Sequence, residues 1–309
     1  MSALKGNHMD AGYTLQPVSF SRLLLDTIKV GIIKSNLIAM FAGICMALYV
    51  TGTPLFGKIA DIVLAFIGAA LVIGSAGAFN NLYDRDIDIL MERTKRRPTV
   101  TGQIDTVKGL IIGCIMSVAG LVSLYAASPL AALFGFLGLF LYVVPYTMWT
   151  KRRTVYNTEV GSLSGATPPL IGWAVITSDL SHTGIAALFT LMVLWQMPHF
   201  YGIAVRRYDE YKAAKVPMLP VVKGMKRTYV QTNVYLVALF MSSGLFWSFS
   251  PFVAITAALL SITWILLSLI GYRRMEATAW AKSMFIYSLN HITILLMIII
   301  CYSLIKPLF

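Results

Sequence analysis

The chain has 309 residues, of which 58 % are hydrophobic and only 12 % charged, with a formal net charge of +12. A membrane-crossing helix takes about 20 mostly apolar residues, so this composition supplies about nine crossings and little else. It excludes a soluble globular enzyme, a disordered or collagen-like chain, and a large soluble domain on a membrane anchor, because the longest polar stretch, 206–228, is too short to bury a core.

Residues 1–28 read as a cytoplasmic N-terminal segment, and the first 20 residues lack the apolar core of a cleavable signal peptide. Nine spans are expected, at 30–50, 59–80, 108–127, 130–149, 159–177, 184–205, 229–249, 251–271 and 284–305, forming one all-helical transmembrane domain over 1–309. Of the 25 lysines and arginines, all but Lys58 and Lys306 fall in the N-terminal stretch up to Lys34 and in the loops after the even-numbered spans. That asymmetry places the N-terminus and the long loops in the cytoplasm and the C-terminus outside. It also explains the basic charge without nucleic acid as a partner; the lipid bilayer is the expected one. Cys45, Cys114 and Cys301 lie in apolar runs with neither metal-ligand nor disulfide spacing.

The second span ends in the richest segment, Asn80-Asn81-Leu82-Tyr83-Asp84-Arg85-Asp86-Ile87-Asp88, followed by Arg93, Lys95, Arg96, Arg97 and Pro98. Asn80, Asp84 and Asp88 are four residues apart. On a continuing helix they share one face, a strip ~12 Å long at 1.5 Å per residue. One amide oxygen and two carboxylates suit Mg²⁺, which binds hard oxygens and keeps positions for water and phosphate. The adjacent guanidinium groups suit the phosphates of a diphosphate. Asp86 points off this strip and is expected to pair with a neighbouring arginine. Tyr83, in the same segment, and Asn36, early in the first span, join Arg93 and Arg97 as candidate substrate-binding residues.

After the fourth span, Lys151-Arg152-Arg153 offers a lysine to the same diphosphate, followed by Asn157. The sixth span carries Trp195-Gln196-Met197-Pro198-His199-Phe200, where Pro198 is expected to break or kink the helix. His199 is then a candidate haem-iron ligand, a base, a donor to substrate, or a partner for carbonyls freed at the kink. Arg206 and Arg207 are candidates for substrate binding, and Asp209 or Glu210 for a second metal site.

Asn80-x3-Asp84-x3-Asp88 resembles the first aspartate motif of UbiA-type intramembrane prenyltransferases. The fuller string from Asp84 to Arg97-Pro98, the run Gly165-Ala166-Thr167-Pro168-Pro169, and Trp195-Gln196-x-Pro198-His199-Phe200 with Pro217-Met218-Leu219-Pro220 resemble the haem O synthase branch. Where many of the superfamily carry a second D-x3-D, Asp209 here is followed four residues on by Ala213. The resemblance implies nine helices around a central cavity and transfer of farnesyl from farnesyl diphosphate to haem B, giving haem O. It further implies Mg²⁺ on Asn80, Asp84 and Asp88, a bacterial-type cell membrane or organelle inner membrane, and haem A synthase or an assembling terminal oxidase as candidate protein partners. Two rival readings are another aromatic acceptor, such as a quinone precursor, and a secondary transporter. Against the transporter, the ionisable residues gather at one membrane face rather than at mid-depth.

Overall fold

The computed structural model describes residues 19–306, so residues 1–18 of the expected N-terminal segment lie outside the described residues. Ser19 opens α1 (Phe20–Ile28), its hydroxyl accepting from the Arg22 amide. Lys29 ends α1 in the left-handed conformation (φ 58°), and the chain turns at once into α2 (Val30–Thr51). A 3-10 turn, Leu55–Lys58, leads into α3 (Ile59–Tyr83), which stops at Asp84 (φ −90°, ψ 2°) before the short α4 (Arg85–Asp88). Asp105 caps α5 (Thr106–Ala127) by accepting from the Lys108 amide at 2.8 Å. α6 (Pro129–Leu141) then runs into a π-helical segment, Tyr142–Thr150, that contains Pro145. The remaining helices are α7 (Asn157–Gly165), α8 (Thr167–Ile176), α9 (Thr183–Arg206), α10 (Tyr208–Ala213), α11 (Leu219–Ser242), α12 (Pro251–Arg274) and α13 (Ala277–Ile305).

Among the described residues, seven helical rods are long and apolar enough to cross a membrane: α2, 55–83, α5, 129–150, α9, α12 and α13. The other two expected spans are present in altered form. The span at 159–177 is α7 and α8 laid end to end and interrupted at Ala166, because Pro168 and Pro169 bring no N–H to the ladder. The span at 229–249 is the later part of α11 with a 3-10 turn, Ser243–Phe246, and α11 itself starts at Leu219 with a kink at Gly224 (φ 75°). The protein is an all-helical integral membrane protein. Leu110, Ile111, Ile115, Val118 and Val122 line the outer face of α5, an apolar surface that only lipid can cover.

Packing is closest where backbones meet. A Cβ on Gly172 of α8 would stand 2.0 Å from the Met40 carbonyl of α2, and one on Gly43 would stand 2.2 Å from the Pro169 carbonyl. Small residues thus let α2 and α8 touch directly, the usual means of helix association in lipid. At one end of the bundle the two long loops close on each other. Ile87 and Met91 pack with Ala204, Ala214, Val216 and Met218.

One expectation fails. α9 runs from Thr183 to Arg206 as a single helix through Pro198, with no break. Neighbouring helices hold it on both sides, α11 and α13 most extensively. Membrane helices tolerate a proline in such surroundings.

Candidate active site

α3 ends at Tyr83, so the strip of Asn80, Asp84 and Asp88 does not lie on one continuous helix. The hydrogen bonds nevertheless carry the helical spacing across the interruption, from Asp84 N to Asn80 O (2.9 Å) and from Asp88 N to Asp84 O (2.8 Å). The three side chains therefore remain one above another. All are buried, Asp84 at 0 % and Asn80 and Asp88 at 3 % exposure.

Each residue of this strip has a cation against one of its oxygens. Lys151 Nζ donates to Asp84 Oδ2, Arg97 to Asp88 Oδ2, and Lys29 Nζ to Asn80 Oδ1. Asn80 Nδ2 donates to Asp84 Oδ2 at 2.7 Å and to Thr147 Oγ1 at 3.1 Å. Thr147 and Lys151 are delivered by the π-helical segment, whose last turn is closed by the wide Lys151 N to Tyr146 O bond (2.9 Å). Lys29 is held by the sharp turn between α1 and α2. Burial, followed by the nearby Arg97 and Lys151 charges, pulls its ammonium well below the ordinary lysine pKa.

Asp86 behaves as expected and faces away. Arg152 grips it with two bonds of 2.7 Å, and this guanidinium holds the Asp86 carboxyl below the usual carboxylate range. Arg152 also stacks over the Tyr83 ring at 4.8 Å, and Tyr83 OH donates to the Met148 carbonyl at 3.2 Å. Tyr83 thus ties α3 to the π-helical segment rather than facing substrate.

Asn80 and Asp88 of the strip border a cavity of about 1150 Å³, while the wholly buried Asp84 stands behind its lining. Asn36, Asn80, Asp88, Arg93, Arg97 and Lys151 line it on one side, and His199, Arg206 and Arg207 on another. Its deeper wall is apolar, with Val72, Leu139, Ile171 and Leu296. His199 stands in an aromatic wall, 4.7 Å from the Trp195 ring and 5.1 Å from Phe285. Its Nδ1 lies 2.7 Å from Ser288 Oγ, and the single Ser288 hydroxyl proton goes to the Phe285 carbonyl at 2.6 Å. Ser288 must therefore accept from Nδ1–H, which leaves the Nε2 lone pair free. Nothing ties the ring to carbonyls of α9, so its role is not repair of a kink.

Other candidates lie apart from the cavity. Asn157 is buried and spends its amide on the Thr154 and Pro217 carbonyls. Asp209 is exposed, and Glu210 pairs with Arg207 at 2.6 Å. Among the described residues no three His, Cys, Asp or Glu side chains gather as a metal cluster.

Sequence reasoning missed two residues. Lys29 read as an ordinary basic flank of the first span, with nothing to distinguish it. Glu159 carried a signal, being the only charged residue in the run 157–177. Its Oε1 accepts from Tyr201 OH (2.6 Å) and Gln231 Nε2 (2.7 Å), joining α7, α9 and α11 behind the cavity wall.

Residues 36–289 match the profile of the UbiA prenyltransferase family. The chain belongs to that family. It is 63 % identical to a protoheme IX farnesyltransferase of Shouchella clausii, over 94 % of each chain. It is 60 % identical to protoheme IX farnesyltransferase 1 of Bacillus cytotoxicus, over 92 % of this chain and 93 % of that one. Among solved structures it superposes on a digeranylgeranylglyceryl phosphate synthase with a TM-score of 0.74 at 17 % identity, covering 92 % of this chain and 98 % of that one. A UbiA homolog from Archaeoglobus fulgidus bound to GPP and Mg²⁺ gives a TM-score of 0.64 at 15 % identity, over 90 % and 99 %. The two structural likenesses speak to the fold.

Proposed function

We propose that the protein, acting as a single transmembrane domain, transfers a farnesyl group from farnesyl diphosphate to a vinyl group of haem B, with addition of water, giving haem O and diphosphate. The observation that carries this reading is the two-sided cavity. A buried oxygen strip capped by cations stands on one side, and an imidazole with a free lone pair among aromatic rings on the other. The names of the relatives at 60 % identity and above favour protohaem IX and farnesyl over another aromatic acceptor. A transporter has no use for such an asymmetric pair of walls.

The oxygen strip fits Mg²⁺. Its donors are all hard oxygens, and Asp84 Oδ1 is buried with no hydrogen-bond partner, the Arg152 guanidinium standing 3.6 Å away, a costly state that a directly bound cation would relieve. Asn80, Asp84 and Asp88 would hold the ion, and a UbiA homolog is bound to GPP and Mg²⁺. Bound there, Mg²⁺ supplies charge neutralisation for the leaving diphosphate. Asp209 and Glu210 are the candidates for a second ion.

The chain's own residues do the rest. Lys29, Arg97 and Lys151 turn from the carboxylates and amide to the diphosphate oxygens. They stabilise the electron pair that leaves with it when the C1–O bond breaks. The apolar wall receives the farnesyl tail and shields the allylic cation from bulk water. The vinyl carbon attacks C1, water captures the resulting cation, and one proton is released. His199 Nε2 is placed to ligate the haem iron or to take that proton. The reading places the long loops and this site in the cytoplasm of a bacterial-type cell membrane, with the C-terminus outside.

Purified protein supplied with farnesyl diphosphate and haem B should yield haem carrying a hydroxyethylfarnesyl group by mass spectrometry. Farnesylation of hydroxybenzoate with haem B left unchanged would overturn the reading.

A further inference from the structure

The cavity holds more positive charge than the oxygen strip uses. Lys29, Arg97 and Lys151 are engaged with Asn80, Asp88 and Asp84, and Arg207 with Glu210. Like Arg93 in the loop after the oxygen strip, Arg206 has no carboxylate partner among the described residues. Its guanidinium lies over the Phe285 ring instead, with Cζ 4.9 Å from the centroid. Stacking uses the face of the guanidinium and leaves the N–H donors along its edge available.

The same Phe285 ring packs against His199 at 5.1 Å. Arg206 follows His199 by seven residues on one unbroken helix. That is about two turns, ~10 Å along the axis and within ~20° of the same face. Imidazole, phenyl ring and guanidinium therefore form one continuous surface on α9 and α13, rising to the exposed Arg206 at the mouth. This surface is distinct from the oxygen strip. α3 packs mainly on α5, α1 and α2, whereas α9 packs mainly on α11, α13 and α7, and α2 and α8 touch both.

Given haem B as acceptor, on which this inference rests, the ligand is planar, with two propionates on one edge and two vinyl groups on the opposite edge. Leaving those carboxylates unpaired in a protein cavity is costly. A planar guanidinium matches a carboxylate with two parallel hydrogen bonds. We propose that Arg206 receives a propionate of the acceptor, so that the macrocycle stands along the His199–Phe285 wall with its carboxylates at the cytoplasmic mouth and its vinyl edge turned inward. Arg206 is then the residue that selects an acceptor carrying carboxylates opposite the reacting edge.

The test uses the full chain in detergent, haem B, and haem B dimethyl ester, in which both propionates are capped. Affinity is read from the Soret band and the KM for farnesyl diphosphate from turnover. Wild type should bind haem B about tenfold or more tighter than the ester, as expected for a charged hydrogen bond. Arg206→Gln should lose that factor for haem B while leaving ester affinity and the farnesyl diphosphate KM unchanged, and Arg206→Lys should fall between. Arg206 is exposed and stacks on the half-buried Phe285, so the variants should fold, checked by an unchanged thermal midpoint. Equal weakening of haem B and ester by Arg206→Gln, or a raised KM for farnesyl diphosphate instead, would overturn the assignment. Wild type that farnesylates haem B and the ester with equal affinity would overturn the role of Arg206 alone. Wild type that farnesylates neither would overturn the reaction itself.

Discussion

Asp84, Asp86 and Asp88 are near neighbours in the chain, yet their surroundings divide them. Asp84 and Asp88 are buried and face Lys151 and Arg97, whereas the Asp86 side chain is 61 % exposed and held by Arg152 alone. Asp84→Asn or Asp88→Asn should therefore lower haem O formation at least about a hundredfold while the protein still inserts, because a charge that organises the leaving group is lost. Asp86→Asn should cost only a few-fold, since an exposed pair contributes little. Equal, mild losses at all three positions would mean that the acids only decorate the helix end. His199 divides its possible roles by measurement. With His199→Ala, an altered Soret band and weaker haem binding indicate iron ligation, and normal binding with slow turnover indicates proton transfer. Ser288→Ala should give a milder form of the same defect, because the ring loses only its anchor. Normal spectrum and turnover in His199→Ala would remove it from the reaction. The acids, Lys151 and His199 were legible as residue types at informative spacing. Lys29 was not, since its approach to Asn80 depends on a left-handed turn that no spacing rule reports.

Hydropathy located the helical elements well because lipid imposes it on every crossing, but it is blind to hydrogen-bond register. The interruption at Ala166 and the π-helical segment at Tyr142–Thr150 lie inside runs that read as plain apolar helix, and the kink at Gly224 lies in a stretch that read as polar loop. Pro198 misled in the opposite direction. Proline chemistry predicts a break, but α9 stays helical through Pro198 with α11 and α13 packed against it, and that continuity keeps His199 and Arg206 on one face. Element packing also sets the sharpest steric demand. Gly172 brings α8 onto α2 so closely that any Cβ meets the Met40 backbone, which cannot swing aside as a side chain would. Gly172→Ala should lower stability by about 3 kcal/mol through overpacking, read as a lower thermal midpoint in detergent. Gly31→Ala, with open space around its Cβ position, is the control and should leave the midpoint within about a degree, since surface changes of this kind are small. An unchanged midpoint in Gly172→Ala would show that α2 and α8 can slide apart freely, and the cavity wall they build would then be soft.

At the scale of the whole molecule, charge and cavity tell the same story from different directions. The cavity gathers residues from α2, α3, the π-helical segment, α9 and α13, a convergence that lies far apart in sequence and only the fold reveals. Its orientation in the membrane is an expectation from local charge, to which insertion responds, and not from tertiary contacts. Lys58 and Lys306 are the only basic residues assigned to the outer side, and Lys58 is neutralised by Asp61 at 3.0 Å. Arg153 and Lys215 are exposed in the loops at the same end of the bundle as the oxygen strip, and Ser181 is exposed in the short connection between α8 and α9 at the other end. In a background with Cys45, Cys114 and Cys301 replaced, Arg153→Cys and Lys215→Cys should react with a membrane-impermeant thiol reagent only after the cytoplasmic face is opened. Ser181→Cys should react in intact cells. The result bears on chemistry as well as topology, because an outward-facing Lys215 would put the mouth of the cavity, its diphosphate-binding cations and Arg206 on the wrong side for a substrate made in the cytoplasm. Labelling of Lys215→Cys from outside would thus overturn the orientation and the route by which substrate enters, while leaving the helix packing untouched.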